Sequence, residues 1–188
     1  MIPPSARRSL WVFPLALGAV VWTACGSNSG GQSSDSFSQT AAPVAGDFGK
    51  NPAPGFSLQD TNGKTVSLAD FKGKVVFLDF WATWCPPCRI SMPDVEKLHR
   101  HFQGKPVQVL GLNLDENPEK VKRFVEQKKI PYPVLLAGDS DVARSYGVGG
   151  IPHFVLIDQD GRLVNDWSGY APEFAGNWRA LINQLLGA

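Results

Sequence analysis

The sequence predicts one α/β domain in which a mixed sheet is covered on both faces. Apolar segments of strand-like composition alternate with segments whose apolar residues recur at helical spacing, which favours a sheet with crossover helices. A hairpin-like pair of strands and an amphipathic helix close the chain, so part of the sheet should be antiparallel. Residues 54–188 suffice for one hydrophobic core, and no internal repeat is evident.

The first elements of this domain are a hairpin and a buried strand. Phe56–Asp60 and Lys64–Leu68 flank Asn62-Gly63, a dipeptide typical of tight hairpin turns. Val75–Trp81 follows the turn signal Gly73-Lys74, and its Val- and Phe-rich composition predicts a central strand buried on both faces.

The remaining elements follow from periodicity and turn signals. Val95, Leu98 and Phe102 recur at helical spacing, and Asn117-Pro118 supplies a capping residue and a first-turn proline for a second helix. Asp158–Gly161 has the composition of a hairpin turn. Further strands are predicted at 107–114, 133–136, 154–157 and 163–167, and further helices at 141–146 and 173–186.

The N-terminal region predicts export and attachment to a membrane. Two arginines precede the apolar segment 10–21, a pattern typical of a signal peptide over residues 1–25 and shorter than a membrane span. Small residues before Cys25 resemble a bacterial lipobox, which implies lipidation of Cys25; ordinary signal cleavage and an uncleaved anchor are the alternatives. Residues 26–53, rich in Ser and Gly in their first half, predict a flexible tether. We therefore expect a protein of the bacterial cell envelope, facing the periplasm or the outer side of the inner membrane.

Cys85 and Cys88 lie where the central strand gives way to a helix. Free amide groups and the positive dipole end of a helix N-terminus favour a thiolate, which is the nucleophile of thiol–disulfide exchange. We expect Cys85 to be an exposed attacking thiol and Cys88, one turn further and more buried, to be the resolving thiol. The pair should cycle through a Cys85–Cys88 disulfide.

Other uses of a Cys-x-x-Cys pair have less support. A zinc site usually needs four soft ligands, and Cys25 is the only other cysteine. Haem attachment needs a histidine where this chain has Arg89. A structural disulfide stays open, although two prolines between the cysteines at a helix start favour a redox pair. No metal or cofactor is predicted.

Residues 79–89, with the sequence DFWATWCPPCR, resemble the active-site signature of the thioredoxin superfamily. The Pro-Pro centre and the Ala-Thr-Trp lead-in are similar to its TlpA/ResA-type membrane-tethered thiol–disulfide oxidoreductases. The resemblance extends from about Pro54 to the C-terminus and implies a thioredoxin-like fold with an added N-terminal β-hairpin. It also implies that Gly149–Pro152 forms a loop in which a cis-proline faces the dithiol.

Client binding is assigned by the resemblance to residues around the dithiol. Pro152 lacks an N–H group and leaves the Ile151 backbone free to pair with a bound strand. Trp84, an exposed rim beside the dithiol, would contact the client together with Pro86 and Pro87.

Asp79 is the most informative accessory residue, because it lies within an apolar strand where a buried charge is costly. Burial should raise its pKa, so we expect Asp79 to deprotonate Cys88 through a water during resolution; a solvent-accessible carboxylate at a strand edge is the alternative. The resembled proteins often have a glutamate three residues after the second cysteine, where this chain has Ser91. His153 either tunes the thiolate or points to solvent.

These features predict a thiol–disulfide oxidoreductase that reduces exported proteins. By resemblance, its clients include apocytochrome c thiols before haem attachment or other exported proteins, and a membrane dithiol donor restores the reduced form. A membrane-tethered copper(I) carrier is the alternative from another class, with His153 as the candidate extra ligand. A peroxiredoxin-like peroxidase would need a hydroxyl residue and a proline where the chain has Ala82 and Leu78. The formal net charge of +1 gives no indication of nucleic acid binding.

Overall fold

A computed structural model describes residues 51–187, in which a five-stranded sheet is accompanied by a separate two-stranded hairpin. The elements in chain order are β1 (Ser57–Gln59), β2 (Thr65–Ser67), β3 (Val75–Trp81), α1 (Pro86–His101), β4 (Val107–Asn113), α2 (Pro118–Lys128), β5 (Val134–Leu136), α3 (Val142–Ser145), β6 (His153–Ile157), β7 (Leu163–Ser168) and α4 (Phe174–Leu186). Cys25, the predicted signal peptide and most of the predicted tether lie outside the described residues, so those predictions stay untested.

The main sheet is mixed, as predicted. Its strand order is β5-β4-β3-β6-β7, with β3 parallel to β4 and β4 parallel to β5. β6 runs antiparallel to both β3 and β7. Its pairing with β7 follows from the tight turn that joins these two strands, whereas parallel neighbours need helical crossovers. β3 occupies the centre of the sheet, and all seven of its residues are buried.

Two apolar clusters cover the two faces of the sheet. Val95 of α1, Val121 of α2 and Trp178 of α4 belong to one cluster. The hairpin and α3 supply Val66 and Val142 to the other. Side chains alternate between faces along a strand, and this alternation decides which β3 residues lie beneath α1.

In β3, Phe77 and Trp81 belong to the cluster beneath α1, and Leu78 and Phe80 belong to the opposite cluster. Asp79 therefore points to the same face as Phe77 and Trp81, towards the helix that carries the cysteines.

Both predicted hairpin turns are present. Gly63 and Gly161 adopt positive φ angles of 81° and 79°, a conformation that glycine reaches without a Cβ clash. At the second turn, the Ala53 amide donates to the Gly161 carbonyl over 2.8 Å, and the Leu163 amide donates to the Asn51 carbonyl over 3.1 Å. Backbone hydrogen bonds therefore join the chain to the domain from Asn51 onward, three residues before the predicted boundary at residue 54.

Within residues 51–187, no helix combines the length and apolar character that crossing a membrane requires.

Trp178 provides a test of the core beneath α4. Its ring is fully buried, with centroids 5.0 Å from Phe77 and 4.6 Å from Phe154. Trp178→Ala should lower the free energy of unfolding by about 3–5 kcal/mol, because it opens a cavity. Trp178→Phe keeps an aromatic ring and removes an indole N–H that has no hydrogen-bond partner, so it should cost under about 1.5 kcal/mol. Urea unfolding followed by circular dichroism would measure both, and equal losses would contradict this packing account.

Candidate active site

Cys85 and Cys88 form a disulfide at the N-terminus of α1. Their sulfur atoms are 1.99 Å apart, and their Cα atoms are 5.3 Å apart. Cys85 is the N-cap residue of the helix, with an extended backbone, and Pro86 and Pro87 form the first helical positions. Prolines fit there, because the first amides of a helix have no intrahelical partner.

The helix N-terminus supplies a donor to the first sulfur. The Cys88 amide donates to Cys85 Sγ over 3.2 Å, which is the contact expected from the free amides at this helix end. Such a donor, together with the helix dipole, favours negative charge on the Cys85 sulfur once the disulfide is reduced.

The expectation of an exposed sulfur at Cys85 is wrong for the disulfide form. Only 2% of the Cys85 surface is accessible, compared with 1% for Cys88. Cys85 is covered because its sulfur is bonded to Cys88, lies 3.7 Å from the Ile151 carbonyl oxygen, and belongs to the apolar cluster beneath α1. The two cysteines therefore hardly differ in burial in the disulfide form, and the Cys88 amide at the helix N-terminus is a contact that distinguishes the Cys85 sulfur.

A cis-proline loop contacts Cys85, and exposed apolar side chains flank the two cysteines in the sequence. Ile151-Pro152 is a cis peptide bond, as the resemblance implied, and its carbonyl side faces Cys85. Trp84 and Ile90 are the two large apolar side chains that are strongly exposed in the described part of the chain, at 61% and 66%. Single exposed apolar residues are ordinary, but these two are separated by only five residues around a redox disulfide.

Asp79 is buried beneath this helix rather than at a solvated edge. It lies in the central strand with 1% of its surface accessible. Its Oδ2 accepts a hydrogen bond from the Tyr132 hydroxyl over 3.4 Å, and its Oδ1 has no partner among the described residues. Burial raises the pKa of Asp79 to about 7, and the Tyr132 hydrogen bond opposes part of that rise.

Tyr132 was not identified from the sequence. It reaches Asp79 because β4 pairs with β3 so that Gly111 lies directly beside Asp79. A Cβ at Gly111 would lie 3.0 Å from Trp81 Nε1 and 3.1 Å from Tyr132 Cε2, so the missing side chain gives the phenol its space. Gly111, a glycine inside an apolar strand, is the sequence signal that could have indicated such a close approach.

A second network, also missed from the sequence, holds the segment before Cys85. The Thr83 amide and hydroxyl donate to Oδ2 and Oδ1 of Asp115, each over 2.6 Å, and Lys120 Nζ donates to Oδ1 over 2.9 Å. Burial raises the pKa of Asp115, but these hydrogen bonds outweigh it and hold the pKa below its ordinary value. A Cβ at Gly138 would overlap the Asp115 carbonyl oxygen, so the neighbouring loop needs glycine there.

His153 does not point to solvent, which corrects that expectation. It is 3% exposed and pairs with Phe80, so it faces the side of the sheet opposite to Asp79. Its Nε2 lies 3.2 Å from Asp166 Oδ2 without the alignment of a hydrogen bond. Burial lowers the pKa of His153, and the Asp166 charge opposes this.

The other flagged residues have structural partners. Ser91 is fully buried, and its hydroxyl donates to the Cys88 carbonyl over 2.9 Å. Two histidines lie near the C-terminal end of α1: His101 is exposed, whereas His99 is half-buried, with its ring centroid 6.0 Å from that of Tyr132.

Between residues 51 and 187, no group of three or more His, Cys, Asp and Glu side chains is arranged to hold a metal ion. His153, the candidate third ligand for copper(I), lies on the other face of the sheet from Asp79 and α1. The copper alternative therefore loses the side chain that distinguished it.

Comparison with known proteins gives a consistent result. The profile of the Redoxin family matches residues 49–176. The thiol-disulfide oxidoreductase ResA of Bacillus thuringiensis subsp. konkukian is 40% identical over 117 residues, which cover 62% of this chain and 68% of that protein.

Two solved structures share the fold. The thioredoxin domain of a thiol-disulfide oxidoreductase from Bacteroides vulgatus has a TM-score of 0.64 and 32% identity, covering 71% of this chain and 96% of that domain. The pneumococcal exposed lipoprotein thioredoxin Etrx1 of Streptococcus pneumoniae has a TM-score of 0.60 and 28% identity, covering 72% of this chain and 100% of that one.

The raised pKa of Asp79 predicts how the stability of the oxidised protein depends on pH. The protonated carboxyl is favoured in the folded state, so its stabilising contribution is present below about pH 4 and is lost as pH rises through about 7. The loss corresponds to about 4 kcal/mol. Asp79→Asn stays neutral, so its free energy of unfolding should exceed that of the wild type at pH 8 and match it at pH 4.

Urea unfolding of the disulfide form at both pH values would measure this difference. Asp160→Asn, which changes an exposed carboxylate on the β6–β7 turn, serves as the control. Its free energy of unfolding relative to the wild type should not change between pH 4 and pH 8. A constant difference between Asp79→Asn and the wild type across this range would contradict the assignment of a raised pKa.

Proposed function

This chain belongs to the Redoxin family and is a thiol–disulfide oxidoreductase of the ResA type, and we propose that it reduces disulfides in exported client proteins. The observation that carries the proposal is the Cys85–Cys88 disulfide at the N-terminus of α1, with an amide directed at the first sulfur and an exposed apolar rim around it. Its clients are proteins that carry thiols or disulfides.

The first step is attack by Cys85. In the reduced protein, the Cys85 thiolate attacks one sulfur of a client disulfide, the client S–S bond breaks, and the departing client sulfur takes up a proton. The product is a mixed disulfide between Cys85 and the client. Stabilisation of the thiolate comes from the Cys88 amide and the helix N-terminus.

The second step is resolution by Cys88. Asp79, acting through a water, takes the Cys88 proton; the Cys88 thiolate then attacks Cys85 Sγ and displaces the client as its second thiol. Two electrons and two protons reach the client in total, and the Cys85–Cys88 disulfide remains. A carboxyl with a pKa of about 7 is suited to this transfer, because it can accept and release a proton near neutrality.

Tyr132 sets the basicity of Asp79 in this scheme. Its hydroxyl donates to the carboxylate and stabilises the charged form, which keeps the pKa of Asp79 from rising further. Tyr132 is thus a positioning residue that acts through Asp79 and not on the sulfur atoms themselves.

Client binding uses the surface around the disulfide. The Ile151 carbonyl faces Cys85, and a strand of the client would lie along this backbone as an added edge. Trp84, Pro86 and Pro87 are exposed at the mouth of the site and would contact client side chains on either side of the cysteine.

We further propose that the protein is tethered outside the cytoplasm. Lipidation of Cys25 would anchor it, and a tether shortened to residues 26–50 by the pairing at Asn51 would reach on the order of 30 Å on average. A structural relative, the pneumococcal exposed lipoprotein thioredoxin, supports such a setting. Because exported dithiols tend to be oxidised, a membrane protein with a donor dithiol would have to reduce Cys85–Cys88 after each turnover.

Trapping tests the exchange mechanism. Cys88→Ser removes the resolving sulfur, so clients should accumulate in cells as mixed disulfides on Cys85. Non-reducing electrophoresis followed by mass spectrometry would identify them, and a Cys85→Ser and Cys88→Ser double variant provides the control. If Cys88→Ser recovers no more protein than the double variant, the exchange mechanism fails.

The pH dependence of resolution tests Asp79 and Tyr132. After a mixed disulfide with a fluorescent peptide is formed at pH 4, a stopped-flow pH jump would measure peptide release. In the wild type the rate should rise with a midpoint near pH 7, and Asp79→Asn should abolish that midpoint and slow release at pH 7 by about 10²-fold. Tyr132→Phe removes the donor that lowers the pKa of Asp79, so the midpoint should move to higher pH.

Tyr170→Phe is the matched control, because Tyr170 donates to Asp94, a carboxylate outside the site. It should leave the release profile unchanged. If Tyr132→Phe left the midpoint unchanged while Asp79→Asn still slowed peptide release, the role proposed for Tyr132 would be wrong. The role proposed for Asp79 would stand.

A further inference from the structure

A shallow basic groove opens beside the disulfide, between α2 and the segment that precedes α1. We call it the α2 groove, and its main lining residues are Thr83, Trp84, Arg89, Lys120, Arg123 and Phe124. Arg123 and Phe124 lie three and four positions after Lys120, so these three residues form one face of α2. Trp84 immediately precedes Cys85, which places one wall of the groove at the redox centre.

The groove contains two guanidinium groups without a carboxylate partner. Arg89 contacts the Thr83 carbonyl over 3.5 Å, and neither Arg89 nor Arg123 lies within 4 Å of a carboxylate oxygen in the described part of the chain. The two acidic residues of α2, Glu119 and Glu126, do not line the groove. Lys120 differs, because Asp115 already pairs with it.

The groove also has an apolar component. Trp84 is 61% exposed, whereas Phe124 is half-buried, with its ring 5.4 Å from that of Trp81. A ligand that fits must therefore offer carboxylates to the arginines and an apolar or aromatic group to Trp84. A polypeptide segment that carries acidic and apolar residues near a cysteine has both features.

We propose that the α2 groove binds an acidic segment of the client polypeptide, next to the cysteine that exchanges with Cys85. The proposal rests on the proposed function, because it names a class of client for the same disulfide. Arginine favours carboxylates through paired N–H···O hydrogen bonds. An exposed ion pair contributes little to affinity, so the main effect is on the rate of encounter and on the choice of client.

Arg123 allows the sharpest test. It is exposed, it is remote in sequence from both cysteines, and it is not part of the Asp115 network. Arg123→Glu reverses one charge in the groove. Lys122→Glu is the matched control, because it makes the same change in net charge on the same helix but at a residue that does not line the groove.

The experiment compares two disulfide peptides that differ only in having aspartates or lysines beside the cysteine. Stopped-flow measurement gives the second-order rate constant for their reduction by the reduced full-length protein. The wild type should prefer the aspartate peptide by about three- to tenfold at low ionic strength, and Arg123→Glu should remove or invert this preference. Lys122→Glu should preserve it within about twofold, and 0.5 M salt should abolish it in the wild type.

The outcomes separate this proposal from the function on which it rests. Equal rates for both peptides in the wild type, or an equal loss in both variants, would overturn the groove assignment while leaving exchange intact. Failure to reduce either peptide would instead contradict the proposed function. Self-association of the wild type that Arg123→Glu abolishes, measured by sedimentation velocity, would assign the groove to a second copy of the chain and overturn the client assignment.

Discussion

The site depends on the rigid junction between β3 and α1. β3 is hydrogen-bonded on both edges and buried on both faces, so the end of this strand has a fixed position. Cys85 caps the helix that follows, and its sulfur therefore accepts a hydrogen bond from the Cys88 amide without any rearrangement. A looser junction would misalign this donor and remove the electrostatic difference between two sulfurs that are equally buried.

Asp79 lowers the stability of the fold, because it places a carboxyl in the buried strand that leads to the cysteines. A carboxyl in the central strand destabilises the folded protein whenever it is ionised, and a hydrophobic residue of similar size would avoid that cost. Its position on the face of β3 that lies beneath α1 supports the proposal that Asp79 accepts the proton of Cys88. Tyr132 and Gly111 limit the cost, since one donates a hydrogen bond and the other leaves room for the donor.

Local patterns in the sequence predicted most of the fold and the centre of the site. The apolar β3 segment, the Cys-x-x-Cys pair at a helix start and both hairpin turns are short-range features, so composition and spacing reveal them. Tyr132 lies 53 positions from Asp79 and reaches it only through the pairing of β4 with both β3 and β5. His153 was misplaced for a related reason, because the face it occupies depends on the register of β6 against Phe80. The burial of Cys85 likewise depends on Ile151, which lies far along the chain.

The network of Thr83, Asp115 and Gly138 has a consequence for engineering. It joins the loop after β4 to the segment before Cys85, so transplanting that whole loop from a related protein would disturb the catalytic cysteine even if the cysteines were untouched. Among residues 51–187, the side-chain bond between α2 and this network is that of Lys120 with Asp115. Point substitutions on the exposed face of that helix would leave this network intact, whereas the loop after β4 tolerates little change.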